Sequence, residues 1–486
     1  MDRPSYGDAS PIVAIATPLS ESALSIVRTS GPAAVDLAAK AFSRPETLRE
    51  AAGYTVVHGW ILDREGKRVD EVLASVFRAP HGYTGEEAVD FSCHGGIVTG
   101  RTVFQALLAA GFREALPGEF TFRAFMNGKL DLTRSESVME LVSAKTDEAR
   151  ERAVGRLSGE LEAEIDAAKD LLVLSLAAAE LYLDYSEDDG VGGDTVGAAE
   201  AAGRLPRRAD AEAARDRLAA LAASYRLERL YRHGAPLAVA GRPNAGKSRL
   251  FNRLLREERS IVAPTPGTTR DWIEAWISVE GLPVRLVDTA GLRDAEDPVE
   301  RIGVERSRDV LAGADLVLYV VDGTDGLGAE DAAFLAAPAG APVIPIWNKA
   351  DRGAPPEPAG FQRLSAATGE GIPELAARIV ALLSGTDGAA GGARGDAEYD
   401  AAAGGGAPRG ESRKIRAGIA SERQKALIDR ALAAVDEALS LDERGHPLDL
   451  IARELREAVD ALGEITGEVS TADILETMFG RFCVGK

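Results

Sequence analysis

The run Gly241-Arg242-Pro243-Asn244-Ala245-Gly246-Lys247-Ser248 has the residue types and the spacing of a loop that holds phosphate groups. Its glycines allow backbone N–H groups to close around an anion, and a helix that begins after the loop would add partial positive charge. Lys247 could then reach the terminal phosphates of a nucleotide, and the Ser248 hydroxyl could bind Mg²⁺. A glycine-rich turn that arises by chance would show the same pattern. The neighbouring elements are therefore needed to distinguish a phosphate-binding loop from such a turn.

A phosphate-binding loop of this kind connects a buried strand to a helix. Before the run, residues 236–240 are Pro-Leu-Ala-Val-Ala, which predicts a short buried strand. After it, residues 249–255 carry apolar side chains at helical spacing. The sequence therefore predicts the strand-to-helix turn that phosphate binding requires.

Two further motifs could complete a site for Mg²⁺ and the γ-phosphate. Asp288-Thr289-Ala290-Gly291 follows a predicted strand at 284–287, so its carboxylate could hold a Mg²⁺-bound water and its glycine N–H could meet the γ-phosphate. Earlier in the chain, Gly267-Thr268-Thr269-Arg270-Asp271 supplies Thr269, which could bind Mg²⁺ from a loop that becomes ordered on the γ-phosphate.

The motif Asn348-Lys349-Ala350-Asp351 predicts which base the nucleotide carries. A carboxylate at Asp351 can accept hydrogen bonds from both N1–H and the exocyclic amine of guanine, a pair of donors that adenine lacks. Ser365-Ala366 falls where a backbone amide could meet the guanine oxygen. Each motif alone is weak, but their order at successive strand ends predicts a GTP site.

The residue after Gly291 is Leu292, where many GTPases have a glutamine that orients the attacking water. A leucine cannot orient water, so either hydrolysis is slow or another group does this. The sequence alone does not choose among the acidic residues that follow, which are Asp294, Glu296, Asp297 and Glu300.

Length and composition limit the remaining possibilities. A chain of 486 residues predicts about three domains. The formal net charge of -21 excludes a general electrostatic attraction to nucleic acid or to anionic membranes. The longest apolar run, residues 171–180, is too short to cross a bilayer, so we expect no membrane association. The two cysteines, Cys93 and Cys483, do not form a disulfide framework, which favours a cytoplasmic protein.

Hydrophobic periodicity predicts a multidomain fold that combines α+β and α/β parts. Short β-like runs at 12–16, 24–27 and 72–77, mixed with helices, predict an α+β domain. Helical spacing predicts helix over 131–184 and again from about residue 422, with a cap at Ser470 or Thr471 before the last helix. Strands alternating with helices predict a Ras-like P-loop domain with a mostly parallel sheet, inserted into an all-α domain. In that sheet domain we expect strands at 272–279, 284–287, 316–321 and 343–347, where Pro345 removes one ladder donor from the last. The predicted domains are 1–126 (α+β), 127–230 (helical), 231–384 (GTPase), 385–410 (a disordered Gly/Ala linker) and 411–486 (helical).

These motifs and several others resemble the family of tRNA modification GTPases called MnmE or TrmE. The resemblance covers nearly the whole chain apart from the Gly/Ala linker and residues 187–205. The matching motifs outside the sheet domain separate this family from other GTPases. The matches are residues 117–121, 127–132, 241–248, 267–271, 288–293, 299–303 and 464–468, and the Cys-x-Gly-Lys terminus.

The resemblance implies a K⁺-dependent GTPase, in which potassium supplies the charge that an arginine supplies in other GTPases. By this match Asn244, Thr268 and the carbonyl groups of Ala263 and Thr265 bind K⁺, and Glu300 positions the water. Ser248 and Thr269 are the expected Mg²⁺ ligands. The residues expected to contact GTP are Asn244, Ala245, Gly246, Lys247, Ser248, Arg249, Ala263, Pro264, Thr265, Pro266, Gly267, Thr268, Thr269, Asp288, Thr289, Ala290, Gly291, Asn348, Lys349, Ala350, Asp351, Ser365 and Ala366.

The resemblance also implies substrate chemistry outside the GTPase domain. The N-terminal domain would form a homodimer and bind a tetrahydrofolate derivative, either 5-formyl- or 5,10-methylene-tetrahydrofolate. With the FAD-containing protein MnmG, in a heterotetramer or larger complex, the family adds an aminomethyl or carboxymethylaminomethyl group to C5 of the wobble uridine of certain tRNAs. The matching folate-binding positions are Arg28, Glu86, Lys129 and Lys486. Cys483 matches a terminal cysteine of the family, although a buried structural role is its alternative.

One alternative function and several departures from the family remain. The same P-loop domain would fit a GTP-switched assembly factor for ribosomes or other RNA, but the sequence contains no strongly basic RNA-binding appendage. The turn at residues 17–22 replaces a glycine-rich turn. Arg249 replaces a small polar residue, so it either brings a charge near the nucleotide or points to solvent, and Val484 replaces isoleucine.

Overall fold

The structure is a computed structural model that describes residues 6–185, 205–257, 274–288, 311–336, 340–385, 418–468, 472–482 and 484–485. The chain divides into two compact units. The first contains Met1–Met139 and Leu455–Lys486, and the second contains Glu140–Glu454.

The first unit contains a mixed sheet with helices on it. Its strands are β1 (Ile12–Ile15), β2 (Leu24–Ser30), β3 (Thr55–Leu62), β4 (Arg68–Phe77), β5 (Ala88–His94) and β6 (Arg113–Glu114). They lie in the order β3-β4-β5-β2-β1-β6. The pairs are antiparallel except for the parallel pair of β1 and β6. The predicted α+β class of the N-terminal part is thus confirmed.

The early helices of the first unit are α1 (Ala34–Lys40), α2 (Pro45–Glu50), α3 (Ile97–Ala110) and α4 (Glu119–Met126). Buried side chains from the sheet, α1 and α3, among them Phe91, Val35 and Leu107, form one hydrophobic cluster. The predicted strands at 12–16, 24–27 and 72–77 lie within or overlap β1, β2 and β4.

The sequence pattern did not predict β3, because Gly59 weakens its strand signal. The structure gives a non-local reason for this glycine. A Cβ atom at Gly59 would lie 2.4 Å from Cζ of Phe42, so the phenyl ring packs directly on the strand backbone. Phe42 is buried, and only a residue without a side chain permits this approach.

The remaining helices follow in chain order. The helix α5 (Leu132–Ser143) crosses from the first unit into the second, α13 (Leu448–Thr466) crosses back, and α14 (Ala472–Phe479) lies in the first unit. The helical region predicted from 131 to 184 is confirmed, with short breaks between helices. The helices are α6 (Asp147–Leu157), α7 (Glu160–Tyr185), α8 (Arg208–His233), α9 (Lys247–Glu257), α10 (Ala329–Ala336), α11 (Ile372–Ser384), α12 (Glu422–Glu443), α13 (Leu448–Thr466) and α14 (Ala472–Phe479).

In the second unit, α8 packs against both α7 and α12. Local sequence fixes where these helices start. The Thr146 side chain accepts a hydrogen bond from the Ala149 N–H at 3.1 Å and caps α6. Ser421 and Gln424 form a reciprocal capping box at the start of α12. The predicted restart of helix near residue 422 is therefore confirmed.

A buried ionic cluster joins α5, α6 and α8 within the second unit. Arg156 is 2% exposed, and its guanidinium donates to Glu140 at 2.7 Å and to Glu228 at 2.6 Å. The guanidinium also donates to the Gly418 carbonyl at 3.3 Å, where the chain returns to the helices. Each buried carboxylate also has a second arginine partner, since Arg232 pairs with Glu140 at 3.3 Å and Arg152 pairs with Glu228.

The second unit also contains the P-loop sheet. Its strands are β7 (Ala235–Gly241), β8 (Glu274–Val279), β9 (Leu282–Asp288), β10 (Leu316–Asp322), β11 (Val343–Asn348) and β12 (Gln362–Arg363). They lie in the order β12-β11-β10-β7-β9-β8, and every pair is parallel except β8 with β9. The predicted P-loop domain with a mostly parallel sheet is thus confirmed.

The strand that contains Pro345 is also confirmed. On one side β11 pairs with β10 along its whole length, with Pro345 opposite Tyr319. On the other side β12 pairs only with Ile346 and Trp347. The missing N–H of Pro345 is tolerated because the short β12 makes no ladder bond at that position.

Several predictions lie outside the described residues. These are the Gly/Ala linker from residue 386 onward, the start of the strand predicted at 272, and the helix cap at Ser470 or Thr471. Among the described helices, none combines the length and apolarity required to span a membrane. The predicted domain boundaries stay predictions.

Candidate active site

The phosphate loop lies between β7 and α9, and close neighbours explain its glycines. A Cβ atom at Gly241 would lie 2.2 Å from the Val320 carbonyl oxygen of β10. A Cβ atom at Gly246 would lie 2.2 Å from Nδ2 of Asn348. Both glycines also have positive φ, at 138° and 102°. The loop therefore needs glycine at both positions, and the strand-to-helix turn predicted from the sequence is confirmed.

Lys247 and the start of α9 provide positive charge at this loop. The ammonium of Lys247 donates to the carbonyl oxygens of Gly241 at 3.0 Å and Arg242 at 2.8 Å. Lys247 is only 9% exposed, whereas Ser248 is exposed in the first turn of α9. A held cation together with a helix N-terminus can bind the phosphates of a nucleotide.

Asn348 connects the phosphate loop to the loop predicted to bind guanine. Its side chain is 2% exposed and donates through Nδ2 to the Ala245 carbonyl at 2.8 Å. Its Oδ1 accepts from the Ala366 N–H at 3.0 Å. One buried amide thus fixes the distance between two loops that are far apart in sequence. The Ala366 N–H is thus bonded to Asn348, and the predicted contact of a backbone amide of Ser365-Ala366 with the guanine oxygen stays a prediction.

Asp351 lies exposed beside the same loop. The Ser365 hydroxyl donates to Oδ1 of Asp351 at 2.5 Å, and this bond lowers the pKa of the carboxyl. Positive charge on Arg352 and Arg249 contributes in the same direction. The carboxyl is therefore ionised at neutral pH, and Oδ2 can accept hydrogen bonds from a base. Arg249 is exposed, and its positive charge helps to lower the pKa of Asp351.

Asp322, at the end of β10, is a site residue that the sequence reasoning missed. The ammonium of Lys349 donates to its carboxylate, and Thr324 donates through both its hydroxyl and its N–H. Burial acts to raise the pKa of Asp322, but these donors outweigh burial and lower it. The sequence signal that could have identified Asp322 is an acidic residue at the end of an apolar strand, on the edge of the sheet where the other motifs lie.

Asp331 on α10 holds the other side of the phosphate loop and was also missed. It is completely buried and lies 2.8 Å from Nε of Arg242. It also accepts from the Tyr319 hydroxyl at 3.0 Å and from the Gly328 N–H at 2.9 Å. Burial, followed by the bond to Asp331, raises the pKa of Tyr319. Asp331 thus fixes Arg242 from a helix with no recognisable motif.

The remaining predicted nucleotide and ion contact residues lie at the ends of elements or outside the described ranges. Asp288 ends β9, but its side chain is not among the described ones. Ala350 begins a short 3₁₀ turn after Lys349. The predicted residues outside the described ranges are Ala263, Pro264, Thr265, Pro266, Gly267, Thr268, Thr269, Thr289, Ala290, Gly291, Glu300, Cys483 and Lys486.

In the first unit, Arg28 contacts the loop of residues 80–87. Its guanidinium pairs with Asp90 at 3.2 Å and lies over the ring of Tyr83, 5.9 Å from the centroid. The Tyr83 hydroxyl bonds to Thr121 at 2.8 Å, which ties the loop to α4. Arg28 is partly exposed, so it can contact a ligand that rests on this loop.

Glu86 lies in the same loop, and Lys129, which follows α4, contacts that loop. The Glu86 carboxylate accepts from Ser30 at 2.7 Å and from Arg123 at 3.1 Å. The Lys129 ammonium donates to the Pro80 carbonyl at 3.3 Å, and its stem lies against Gly85. Three of the four residues predicted to bind the folate are therefore brought to one loop, with both signs of charge available.

The C-terminal segment packs on the first unit. A Cβ atom at Gly118, where φ is 66°, would lie 2.7 Å from the Phe479 carbonyl. Phe479 is buried and makes an edge contact with Phe122, with ring centroids 5.4 Å apart. Near the chain end, a Cβ atom at Gly485 would lie 3.1 Å from Cα of Ala16. The glycine of the motif at 117–121 thus serves close packing with α14.

Two family models match the chain. One, described as "GTP-binding protein TrmE N-terminus", matches residues 11–129, and the other, "MnmE helical domain", matches residues 132–483.

The chain belongs to the MnmE family.

Similar curated proteins support the same assignment over the full length. The tRNA modification GTPase MnmE of Treponema denticola is 43% identical and covers 99% of each chain. That of Geobacillus thermodenitrificans is 39% identical over 98% of this chain and 99% of the relative. A crystal structure of Era from Aquifex aeolicus is 25% identical, covers 41% of this chain and 66% of that chain, and has a TM-score of 0.26. This member of the MnmE family is a GTP hydrolase of tRNA modification.

Proposed function

We propose that this MnmE-family chain is a K⁺-dependent GTPase that, with the FAD-containing protein MnmG, adds an aminomethyl or carboxymethylaminomethyl group to C5 of wobble uridines. The GTP-binding part of this proposal is supported chiefly by the two hydrogen bonds of the Asn348 side chain. This buried amide joins the carbonyl of the phosphate loop at Ala245 to the Ala366 N–H, beside the ionised Asp351. One pocket edge thus presents groups for both phosphates and guanine.

The described residues fit the nucleotide and its Mg²⁺. The glycines at 241 and 246 leave room only for backbone and the Asn348 amide, and Lys247 supplies a held cation. Ser248 offers an exposed hydroxyl as a Mg²⁺ ligand, together with Thr269 as proposed from the sequence. Bound Mg²⁺ would neutralise charge on the phosphates, while Lys247 and the α9 N-terminus hold them.

The proposed K⁺ site rests on Asn244 in the described part of the chain. Asn244 is exposed in the phosphate loop with a φ of 62°, so a side-chain oxygen is available for a cation. The other proposed ligands are Ala263, Thr265 and Thr268, and Glu300 is the proposed water-positioning acid. Potassium there would supply charge that stabilises the transition state.

The proposed folate site lies on the loop of residues 80–87. Arg28 and Lys129 offer cations for an anionic tail, and Glu86 offers an acceptor for the N–H groups of a pterin ring. Lys486 and Cys483 complete the proposed set. We further propose a cytoplasmic homodimer that joins through the N-terminal part and works on tRNA.

The substrate half of the proposal is tested in cells. Nucleosides from the tRNA of a strain lacking this gene, measured by mass spectrometry, should lose the C5-modified wobble uridines. The wild-type gene should restore them, and an Asp351→Ala gene should not. Unchanged wobble uridines in the deletion strain would remove the modification function and favour the alternative of a GTP-switched RNA assembly factor.

The cation and the acid are tested on the purified protein. GTP turnover should rise sharply when K⁺ replaces Na⁺ at equal ionic strength, since Na⁺ is smaller and fits the same ligands poorly. Equal rates in both salts would remove the potassium assignment. Glu300→Ala should keep GTP binding and lose most hydrolysis. Asp294→Ala serves as the matched control, and similar turnover in both variants would return the choice of acid to an open question.

A further inference from the structure

The phosphate-loop helix α9 contacts the guanine loop through one arginine. Nε of Arg253 donates to the Ala366 carbonyl at 3.3 Å, and Nη2 donates to the Ala367 carbonyl. Its third nitrogen, Nη1, pairs with Glu257 one turn later at 3.0 Å. The guanidinium thus holds two successive main-chain carbonyls and is itself held by a carboxylate.

Asn348 forms a hydrogen bond with the same loop from its opposite side. The Ala366 N–H donates to Asn348, whereas its carbonyl accepts from Arg253. The preceding residue, Ser365, is completely buried and donates to Asp351. The position of the loop therefore depends on two clamps, one from the end of β11 and one from α9.

The first turn of α9 carries the phosphate-binding residues, and this gives the Arg253 contact a functional consequence. Lys247 and Ser248 lie less than two turns before Arg253 on the same rigid helix. The arginine side chain is 25% exposed, so water does not fully screen its bonds. A nucleotide that binds at both ends requires the two halves of the site to keep one spacing.

We propose that Arg253 is a positioning residue for guanine recognition, which fixes the 365–367 loop to the phosphate-loop helix. This rests on the proposed assignment of Asp351 and the adjacent loop to guanine. Arg253 donates to the carbonyl oxygens of Ala366 and Ala367, so it acts through the loop. Its removal leaves the phosphate contacts intact but lets the base-recognition loop shift.

The test uses Arg253→Met, which keeps the stem and loses the donors, and Arg253→Lys, which keeps a charge but not the fork. Steady-state GTP hydrolysis by the full chain should show a KM about tenfold to a hundredfold higher for Arg253→Met, with kcat within twofold. Arg253→Lys should give an intermediate KM, because an ammonium can still donate to one carbonyl. The matched control is Arg256→Met, an exposed arginine on the same helix, which should leave KM unchanged.

A merely structural role would lower the melting temperature and kcat without a selective change in KM. An Arg253→Met KM within twofold of the wild type, or an equal rise in Arg256→Met, would overturn the proposal. A separate variant, Asp351→Asn, tests the guanine assignment itself. Xanthine has a carbonyl where guanine has its exocyclic amine, so this variant should favour xanthosine triphosphate over GTP. If that preference changes while Arg253→Met behaves as wild type, only the positioning role fails.

Discussion

Replacing Asn348 by alanine should damage both the stability of the P-loop domain and its affinity for GTP. The change removes two hydrogen bonds from a side chain that is 2% exposed. The Ala245 carbonyl and the Ala366 N–H both lose their partner. A buried polar group without a partner costs about 1–3 kcal/mol, so the two together cost about 2–6 kcal/mol.

Water can reach the space left by the side chain, since the neighbouring Asn244 is exposed. We therefore expect the lower part of that range, about 2–4 kcal/mol. For a domain of this size, such a loss lowers the melting temperature by about 5–15 °C. The two loops would also have to be ordered by the nucleotide. If about half of this loss in free energy appears as weaker binding, GTP affinity falls roughly tenfold.

Two assays check this prediction. Tryptophan fluorescence, to which the buried Trp347 next to Asn348 contributes, can report unfolding, and titration calorimetry measures GTP affinity. The matched control is Asn252→Ala, the same chemical change at an exposed position on α9, which should alter neither quantity. If Asn348→Ala melts within about 2 °C of the wild type and binds GTP equally well, the bridging role of Asn348 is refuted.

Three further outcomes follow from buried or ionised groups. Arg156→Met should lower the free energy of unfolding by about 3 kcal/mol in urea, because two buried carboxylates each lose one charge-assisted hydrogen bond and keep Arg232 or Arg152 as a partner; an unchanged midpoint would contradict this. Burial raises the pKa of the Cys93 thiol. In a Cys483→Ser variant, Cys93 should therefore react with a disulfide reagent at pH 8 only after unfolding, and rapid reaction of the native protein would refute its burial. Because the pKa of Asp351 is lowered, its charge is lost only as the pH falls below the usual carboxyl range. GTP affinity should therefore be flat between about pH 6 and 8, and a decline across that range would contradict an ionised Asp351.

Local patterns were sufficient to predict the elements that carry the site. The strand before Gly241, the helix after Ser248 and the strand ending at Asn348 all have a periodicity that can be read within a few residues. Phosphate and guanine motifs lie at the carboxyl ends of parallel strands, so their convergence followed from the predicted sheet. The orientation of the Asn348 amide could not be predicted, because its hydrogen-bond partners come from two loops that are distant in sequence.

What the sequence did not reveal depends on non-local contacts. Asp322 and Asp331 have no motif, and their role is visible only because Lys349 and Arg242 reach them in the folded chain. Gly59 weakened the signal of β3, although it is there to accept the ring of a distant phenylalanine. Such residues are selected by packing across the fold and not by periodicity along the chain.

Reconstitution shows whether this chain couples GTP hydrolysis to modification of the wobble uridine. Purified chain, the FAD-containing partner, unmodified tRNA, K⁺ and a tetrahydrofolate labelled in its one-carbon group are mixed with glycine or ammonium, with and without GTP. Label should enter the wobble uridine in at least one of the two amine reactions, and only when GTP is present. Equal labelling without GTP, or no label in the uridine with either amine, would contradict it.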